Sequence, residues 1–176
     1  PSEAGRADFA ARTEREIDLL RELRARHGRA AVEDVVSGPG LVNIHRLTHG
    51  DVACAAAIDL ADADAPAAIS RAALEQRCRR CVEALDVFVS AYGAEAGNLA
   101  LRTVATGGVF VGGGIAPKIL PALTSGAFIS AFRAKPPATG EGSAAQNGSA
   151  QRAPSPRDAP GLTLLSARER EVLAHI

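Results

Sequence analysis

The chain has 176 residues, which is long enough for one well-packed core. Its 20 Lys and Arg residues balance 20 Asp and Glu residues, so no overall field attracts nucleic acid or an anionic membrane. We find no signal-peptide pattern and no apolar run of the roughly 18 residues that span a bilayer, which predicts a cytoplasmic protein without a membrane partner. The chain begins at Pro1 and has no methionine, and we therefore expect a piece of a longer protein.

The first predicted helix begins at Thr13. Thr13 and Glu16 have the S/T-x-x-E spacing of a capping box, and Gly28 is placed to end the helix. The apolar residues that recur on one face are Ile17, Leu20 and Leu23. The pattern predicts an amphipathic helix that packs on a core.

Residues 37–40 (SGPG) predict a tight, irregular turn, since they combine two glycines with a proline. A short helix is predicted after this turn, carrying Leu41, Val42, Ile44 and Leu47. Residues 50–67 are rich in Ala and Asp and poor in large apolar side chains, which predicts a surface loop.

Residues 68–106 form the longest stretch with helical periodicity. Gly93 and Gly97 interrupt it, so we expect a kink or two helices end to end. The apolar positions at helical spacing are Leu74, Cys78, Cys81, Leu85, Phe88, Val89 and Tyr92. A further amphipathic helical stretch is predicted from Ile119 to Phe132, loosened at Gly126.

Three cysteines occur, at positions 54, 78 and 81. Cys78 and Cys81 have the C-x-x-C spacing of metal ligands, but no second pair or His cluster in the sequence completes four ligands. A reactive dithiol beside Arg79 and Arg80 is an alternative, because positive neighbours lower a thiol pKa. The helical pattern favours ordinary helix thiols, so the sequence predicts no metal held by the protein.

Residues 107–118 (GGVFVGGGIAPK) predict a short buried strand, a glycine turn and a helix start. Gly112, Gly113 and Gly114 lack Cβ atoms, so a ligand can approach their backbone closely. Pro117 suits the first turn of a helix. Either the backbone N–H groups face a ligand, or the glycines only allow a helix to pack tightly on a sheet. Neither standard phosphate-binding glycine motif is present.

The composition changes after Lys135. Residues 136–160 contain five prolines and no Leu, Ile, Val or Phe, which predicts a disordered linker because little apolar surface can be buried. Residues 161–176 regain an apolar pattern, with Ser166 and Glu169 at capping-box spacing, and they predict a short helix.

With these segments placed, residues 1–135 resemble the C-terminal half of a bacterial glucokinase. Residues 37–44 (SGPGLVNI) are similar to the family's S-G-P-G-L-x-N segment. Residues 93–101 (GAEAGNLAL) are similar to its G-x-x-x-G-N-L-A-L helix, and residues 107–118 to its G-G-V-x-x-x-G-G-I-x-P-[KR] element. These long, ordered matches are more specific than any single glycine motif.

The resemblance implies a helix-rich α/β part of an actin-like ATPase (ribonuclease H-like) domain that acts with ATP and Mg²⁺ on glucose. It places Gly112, Gly113 and Gly114 beside the nucleotide. Glu3 and Arg6 match the family's sugar-binding E-G-G-H segment, read here as E-A-G-R, and Glu33 matches a further sugar-binding glutamate. A homodimer is among the expected partners.

The family's D-x-G-G-T-N phosphate loop and its catalytic aspartate have no match here. We therefore assign no catalytic residue and expect no phosphoryl transfer by the isolated chain.

A second resemblance lies at the C-terminus. Residues 165–176 (LSAREREVLAHI) are similar to the opening of a LuxR-type helix-turn-helix domain. The alternative function is therefore a kinase-derived sugar sensor fused to a module whose partner is DNA.

Overall fold

The computed structural model describes residues 3–135 and the backbone of Leu162 and Thr163. Six α-helices lie in these ranges: α1 (Glu14–His27), α2 (Gly38–His49), α3 (Ala65–Leu74), α4 (Arg79–Thr103), α5 (Leu120–Leu123) and α6 (Ala127–Arg133). Short 3₁₀ turns occur at Ala4–Arg6, Val32–Asp34 and Ala116–Ile119. None of the helices in this part of the chain has both the length and the apolar character needed to cross a membrane.

Two short strands, β1 (Val109–Phe110) and β2 (Leu162–Thr163), pair in parallel. Val109 lies opposite Leu162, and Phe110 lies opposite Thr163. The predicted buried strand is wrong for Phe110, whose surface is 64% exposed because nothing in the described ranges packs over it. β2 lies inside residues 161–176, so the predicted terminal helix is wrong at Leu162 and Thr163. The rest of that segment and the predicted linker lie outside the described residues.

Helix α1 confirms Thr13 as the N-cap but forms only half of the predicted capping box, because the Glu16 carboxylate accepts the Arg12 N–H and not that of Thr13. The Oγ1 atom of Thr13 accepts a hydrogen bond from the Glu16 N–H at 3.2 Å, and Gly28 ends the helix with a φ of 77°. Glu16 itself is buried, and its carboxylate accepts bonds from the Arg12 N–H at 2.7 Å and the Arg12 guanidinium at 2.6 Å. Arg12 also donates to Ser90 Oγ at 3.0 Å, which connects α1 to α4.

The predicted irregular turn at residues 37–40 is wrong, because α2 already begins at Gly38. Ser37 caps the helix by accepting the Gly40 N–H at 2.9 Å, and Pro39 fits the first turn, where its missing N–H is not needed. Gly40 touches the preceding segment so closely that a Cβ there would lie 2.3 Å from the Val35 carbonyl oxygen.

The predicted kink at Gly93 and Gly97 is also wrong, since α4 continues through both. The break comes earlier, between α3 and α4, where Gln76 has a φ of 58°. The two glycines instead allow α6 to pack against the α4 backbone. A Cβ on Gly93 would lie 2.2 Å from the Phe128 carbonyl oxygen, and one on Gly97 would lie 2.5 Å from that of Phe132.

The core lies where α2, α3 and α6 pack around α4. Its fully buried residues include Leu19, Ile44, Ile69, Phe88, Val89 and Phe128. Tyr92 presents its ring edge-on to Phe88 and Phe128, at centroid distances of 6.1 and 5.5 Å. The packing of these helices on α4 fixes the position of the first turn of α2 and of the segment that follows β1.

We predict that Gly93→Ala destabilises the chain, although Ala is normally favoured over Gly in a helix by about 1 kcal/mol. The new methyl group would overlap the α6 backbone, and such overpacking costs about 1–3 kcal/mol. Urea unfolding followed by circular dichroism measures the free energy. Gly107→Ala is the control, because a Cβ there meets no atom within 4 Å. A gain in stability for Gly93→Ala would contradict this account of the helix contact.

Candidate functional site

A cavity of about 320 Å³ lies between the start of α2, the start of α3 and the segment after β1. The α2 wall is formed by Ser37, Gly38 and Leu41. The buried ring of Phe88 on α4 also lines the cavity. The remaining lining residues come from the other two segments and are Ala63, Asp64, Pro66, Ala67, Ser70, Gly114, Ile115, Lys118 and Ile119. The volume is in the range of small-molecule sites.

The α2 end of this cavity is suited to an anion. The positive end of the α2 dipole lies at Gly38, and the N–H groups of the first turn of a helix have no partners within the helix. Ser37 Oγ accepts a hydrogen bond from the Gly40 N–H, and the Gly38 N–H is not part of this capping hydrogen bond. Lys118, from the segment after β1, adds a positive charge to the lining, and Asp64 is the carboxylate of the lining. Such a surface is typical of sites that bind phosphate groups.

The glycine turn reaches the cavity through Gly114. Gly112 and Gly113 are exposed and do not line it. Of the three glycines predicted to bind the nucleotide, Gly114 is therefore the one that lines this cavity. Gly113 has a φ of 89°, which an L side chain adopts only with strain. A Cβ on Gly113 or Gly114 would meet no atom within 4 Å, so close packing does not explain either glycine.

The three predicted sugar-binding residues lie on two adjacent 3₁₀ turns. Glu3 directly precedes the turn Ala4–Arg6, Arg6 is the last residue of that turn, and Glu33 lies in Val32–Asp34. The turns are joined by the antiparallel bridge between Asp8 and Ala31. A Cβ on Gly5 would lie 3.3 Å from Glu33 Oε2, so the two turns approach closely. The structure therefore brings this predicted set together.

Arg6 and Glu3 form an ion pair in which Arg6 Nε lies 2.9 Å from Glu3 Oε2. Their side chains are 74% and 75% exposed, so the pair is open to solvent. Glu33 is exposed as well, and its carbonyl oxygen accepts a 2.6 Å hydrogen bond from Ser37 Oγ. Ser37 thus connects the Glu33 turn directly to the cavity at the start of α2.

Sequence reasoning missed Ser37, Asp64 and Lys118 as lining residues. Ser37 was assigned to a turn, although a serine two residues before a proline is also a signal for a helix N-cap. Lys118 ends the G-G-I-x-P-[KR] match and was identifiable from that match. Asp64 is the N-cap residue of α3 and also stands two residues before a proline, but no motif marks it as a lining residue.

The structure is a helix-rich part of a domain, with a cavity whose lining combines a helix N-terminus, a lysine and a glycine turn. Residues 1–141 match the family model described as Glucokinase. The chain is 43% identical over 152 residues to a glucokinase of Nostoc punctiforme, covering 77% of this chain and 45% of that protein. It is 39% identical over 135 residues to a glucokinase of Escherichia coli O139:H28, and this match covers 77% of this chain and 40% of that protein.

A solved structure agrees with these sequence matches. The crystal structure of a glucokinase from an Antarctic psychrotroph is similar with a TM-score of 0.65 and 36% sequence identity, covering 76% of this chain and 40% of that one. The chain belongs to the glucokinase family. It spans less than half the length of these relatives.

We predict that Gly113→Ala lowers the free energy of unfolding by about 1–2 kcal/mol, because alanine is strained at a positive φ. Gly114→Ala is the matched control and should change stability much less, since its φ is not positive and its Cβ position is open. Thermal unfolding of both variants measures the difference. Equal stabilities would mean that the turn does not hold Gly113 in the left-handed region.

Proposed function

We propose that this chain is the nucleotide-binding part of an ATP-dependent glucokinase that converts glucose to glucose 6-phosphate in the cytoplasm. The observation that carries the proposal is the cavity between the α2 N-terminus and Gly114, in a chain of the glucokinase family. The proposed setting is an actin-like ATPase fold, in which a second domain closes over the bound sugar and nucleotide.

The cavity residues fit ATP by their chemistry. The first turn of α2 and Lys118 offer N–H groups and a positive charge to phosphate oxygens. Leu41, Ile115 and Phe88 offer apolar surface to the adenine ring. Gly114 adds a stretch of backbone that no side chain covers.

Magnesium would be bound chiefly through the phosphates of the nucleotide. Asp64 is the one carboxylate in the cavity lining, and Mg²⁺ usually combines one or two carboxylates with phosphate oxygens and water. The bound ion would neutralise phosphate charge during transfer. The role we give to the chain's own residues is to bind and orient the nucleotide.

Glucose would be held by Glu3 and Glu33, whose carboxylates accept hydrogen bonds from sugar hydroxyls. Arg6 occupies the position of the family's histidine, and its ion pair competes for the Glu3 carboxylate. An exposed pair of this kind contributes about 0–1 kcal/mol, so we expect it to weaken sugar binding without abolishing it.

We predict that Gly114→Val weakens ATP binding to the 176-residue chain at least tenfold, a loss of about 1.4 kcal/mol, because the side chain would occupy the nucleotide cavity. Calorimetric titration with Mg²⁺ and ATP measures the dissociation constant. The free energy of unfolding should hardly change, since the Cβ position is open.

Gly107→Val is the matched control, because Gly107 precedes β1, is exposed and does not line the cavity. It should leave the dissociation constant unchanged. The proposal fails if the unsubstituted chain shows no saturable ATP binding, or if both valine variants bind ATP equally well.

We further predict that Arg6→His strengthens glucose binding by up to roughly fivefold, since it removes the competing ion pair. The test uses this chain joined to the N-terminal part of a full-length glucokinase relative, with the glucose dissociation constant measured by calorimetry. Glu33→Gln in the same protein should weaken binding.

Arg21→His is the control, because Arg21 forms a similarly exposed ion pair with Asp18 on α1, outside the two turns that carry the three sugar residues. Unchanged glucose affinity in both Arg6→His and Glu33→Gln would show that these turns do not bind the sugar.

A further inference from the structure

A cluster of histidine and cysteine side chains lies at the other end of α2, away from the nucleotide cavity. His45 and His49 are one turn apart on the buried face of α2. Cys54 follows in the next loop, and Cys81 lies in the first turn of α4. The ligand atoms of these four residues all lie within 4.8 Å of one another.

From this cluster we propose that His45, His49, Cys54 and Cys81 bind a single zinc ion in a structural, four-coordinate site. Thiolate sulfur and imidazole nitrogen are the ligands that zinc prefers, and four protein ligands define a closed structural site. Neither the sequence spacing nor the nucleotide chemistry of the family predicts this set. The inference is independent of the proposed kinase function.

The distance between the two sulfur atoms supports a shared metal. The Cys54 and Cys81 Sγ atoms are 3.6 Å apart, and both thiols are free. Two thiolates bound to one tetrahedral zinc at about 2.3 Å lie roughly 3.8 Å from each other. A bound ion would therefore fit between these sulfurs with little movement.

The orientation of His49 matches that of a metal ligand. Its Nδ1 atom lies 2.9 Å from the His45 carbonyl oxygen, which places the proton on Nδ1 and makes Nε2 the nitrogen whose lone pair can bind a metal. A backbone carbonyl commonly fixes metal-binding histidines in this way. The Nε2 atom lies 3.4 Å from Cys78 Sγ, so Cys78 borders the four ligands.

His45 provides a separate observation that points to a ligand. Its side chain is only 3% exposed, and neither ring nitrogen has a hydrogen-bond partner. Leaving a buried polar group unpaired is unfavourable, because the group has lost its hydrogen bonds to water. The ring stacks on that of His49 at a centroid distance of 3.7 Å. A metal ion bound to one of the two nitrogens would give that buried nitrogen a partner.

The surrounding structure allows the ion to enter and holds the ligands in place. A surface cavity of about 560 Å³ is lined by His45, His49 and Cys54, which provides a route from solvent. Arg80 donates to the Thr48 carbonyl oxygen at 2.6 Å and so fixes the end of α2 to the start of α4. Zinc would join α2, the loop after it and α4, and displace the thiol protons of Cys54 and Cys81.

The test is a zinc titration of the reduced, metal-free 176-residue chain against a chromophoric chelator. We expect one zinc per chain, and Co²⁺ in its place should give the visible bands of tetrahedral thiolate coordination. Cys54→Ser should weaken zinc binding by roughly 100-fold or more. Because Cys54 is only partly buried, this variant should fold, and its melting temperature in a chelator should match that of the parent chain.

His27→Ala is the control, since His27 is exposed on α1, and it should bind zinc normally. Zinc should raise the melting temperature of the parent and of His27→Ala but not that of Cys54→Ser. The proposal is overturned if zinc does not bind stoichiometrically, or if Cys54→Ser binds it as tightly as the parent. It is also overturned if Cys78→Ser loses as much affinity as Cys54→Ser, because the four ligands would then be wrongly assigned.

Discussion

The close contact between α4 and α6 is the constraint on which the rest of the structure depends. The carbonyl oxygens of Phe128 and Phe132 lie so near α4 that only glycine fits at positions 93 and 97. This contact seats Phe128 against Tyr92 and leaves the other side of α4 to α2 and α3. A methyl group at either glycine would therefore disturb the central helix of the core.

Helix α2 connects the two candidate sites. Its first turn, capped by Ser37, lines the proposed nucleotide cavity, and its last turns carry His45 and His49. Both ends also contact α4, through Phe88 near the cavity and Cys81 in the cysteine–histidine cluster. The position of α2 on α4 thus determines the geometry of both sites.

Local signals in the sequence predicted the features that depend on near neighbours. The Thr13 N-cap, the end of α1 at Gly28 and the loop before α3 are confirmed, because each is decided within a few residues. The prediction of a kink at the two glycines of α4 is wrong, since a glycine in a helical pattern is compatible both with a helix break and with a close contact to another helix. The cysteine–histidine cluster could not be predicted, because folding brings it together from separate helices and a loop. Family motifs predicted Glu33 and Gly114 as site residues, whereas the ion pair between Glu3 and Arg6 became visible only in the structure.

The central claim is that nucleotide binds between the start of α2 and Gly114. The most direct measurement is an NMR titration of the isotope-labelled chain with ADP, following the backbone amide resonances. We expect saturable shifts at Gly38, Gly114 and Lys118, with little change at Gly107 and at His49, which lies at the other end of α2. Shifts confined to other regions, or no saturable shifts at all, would contradict it.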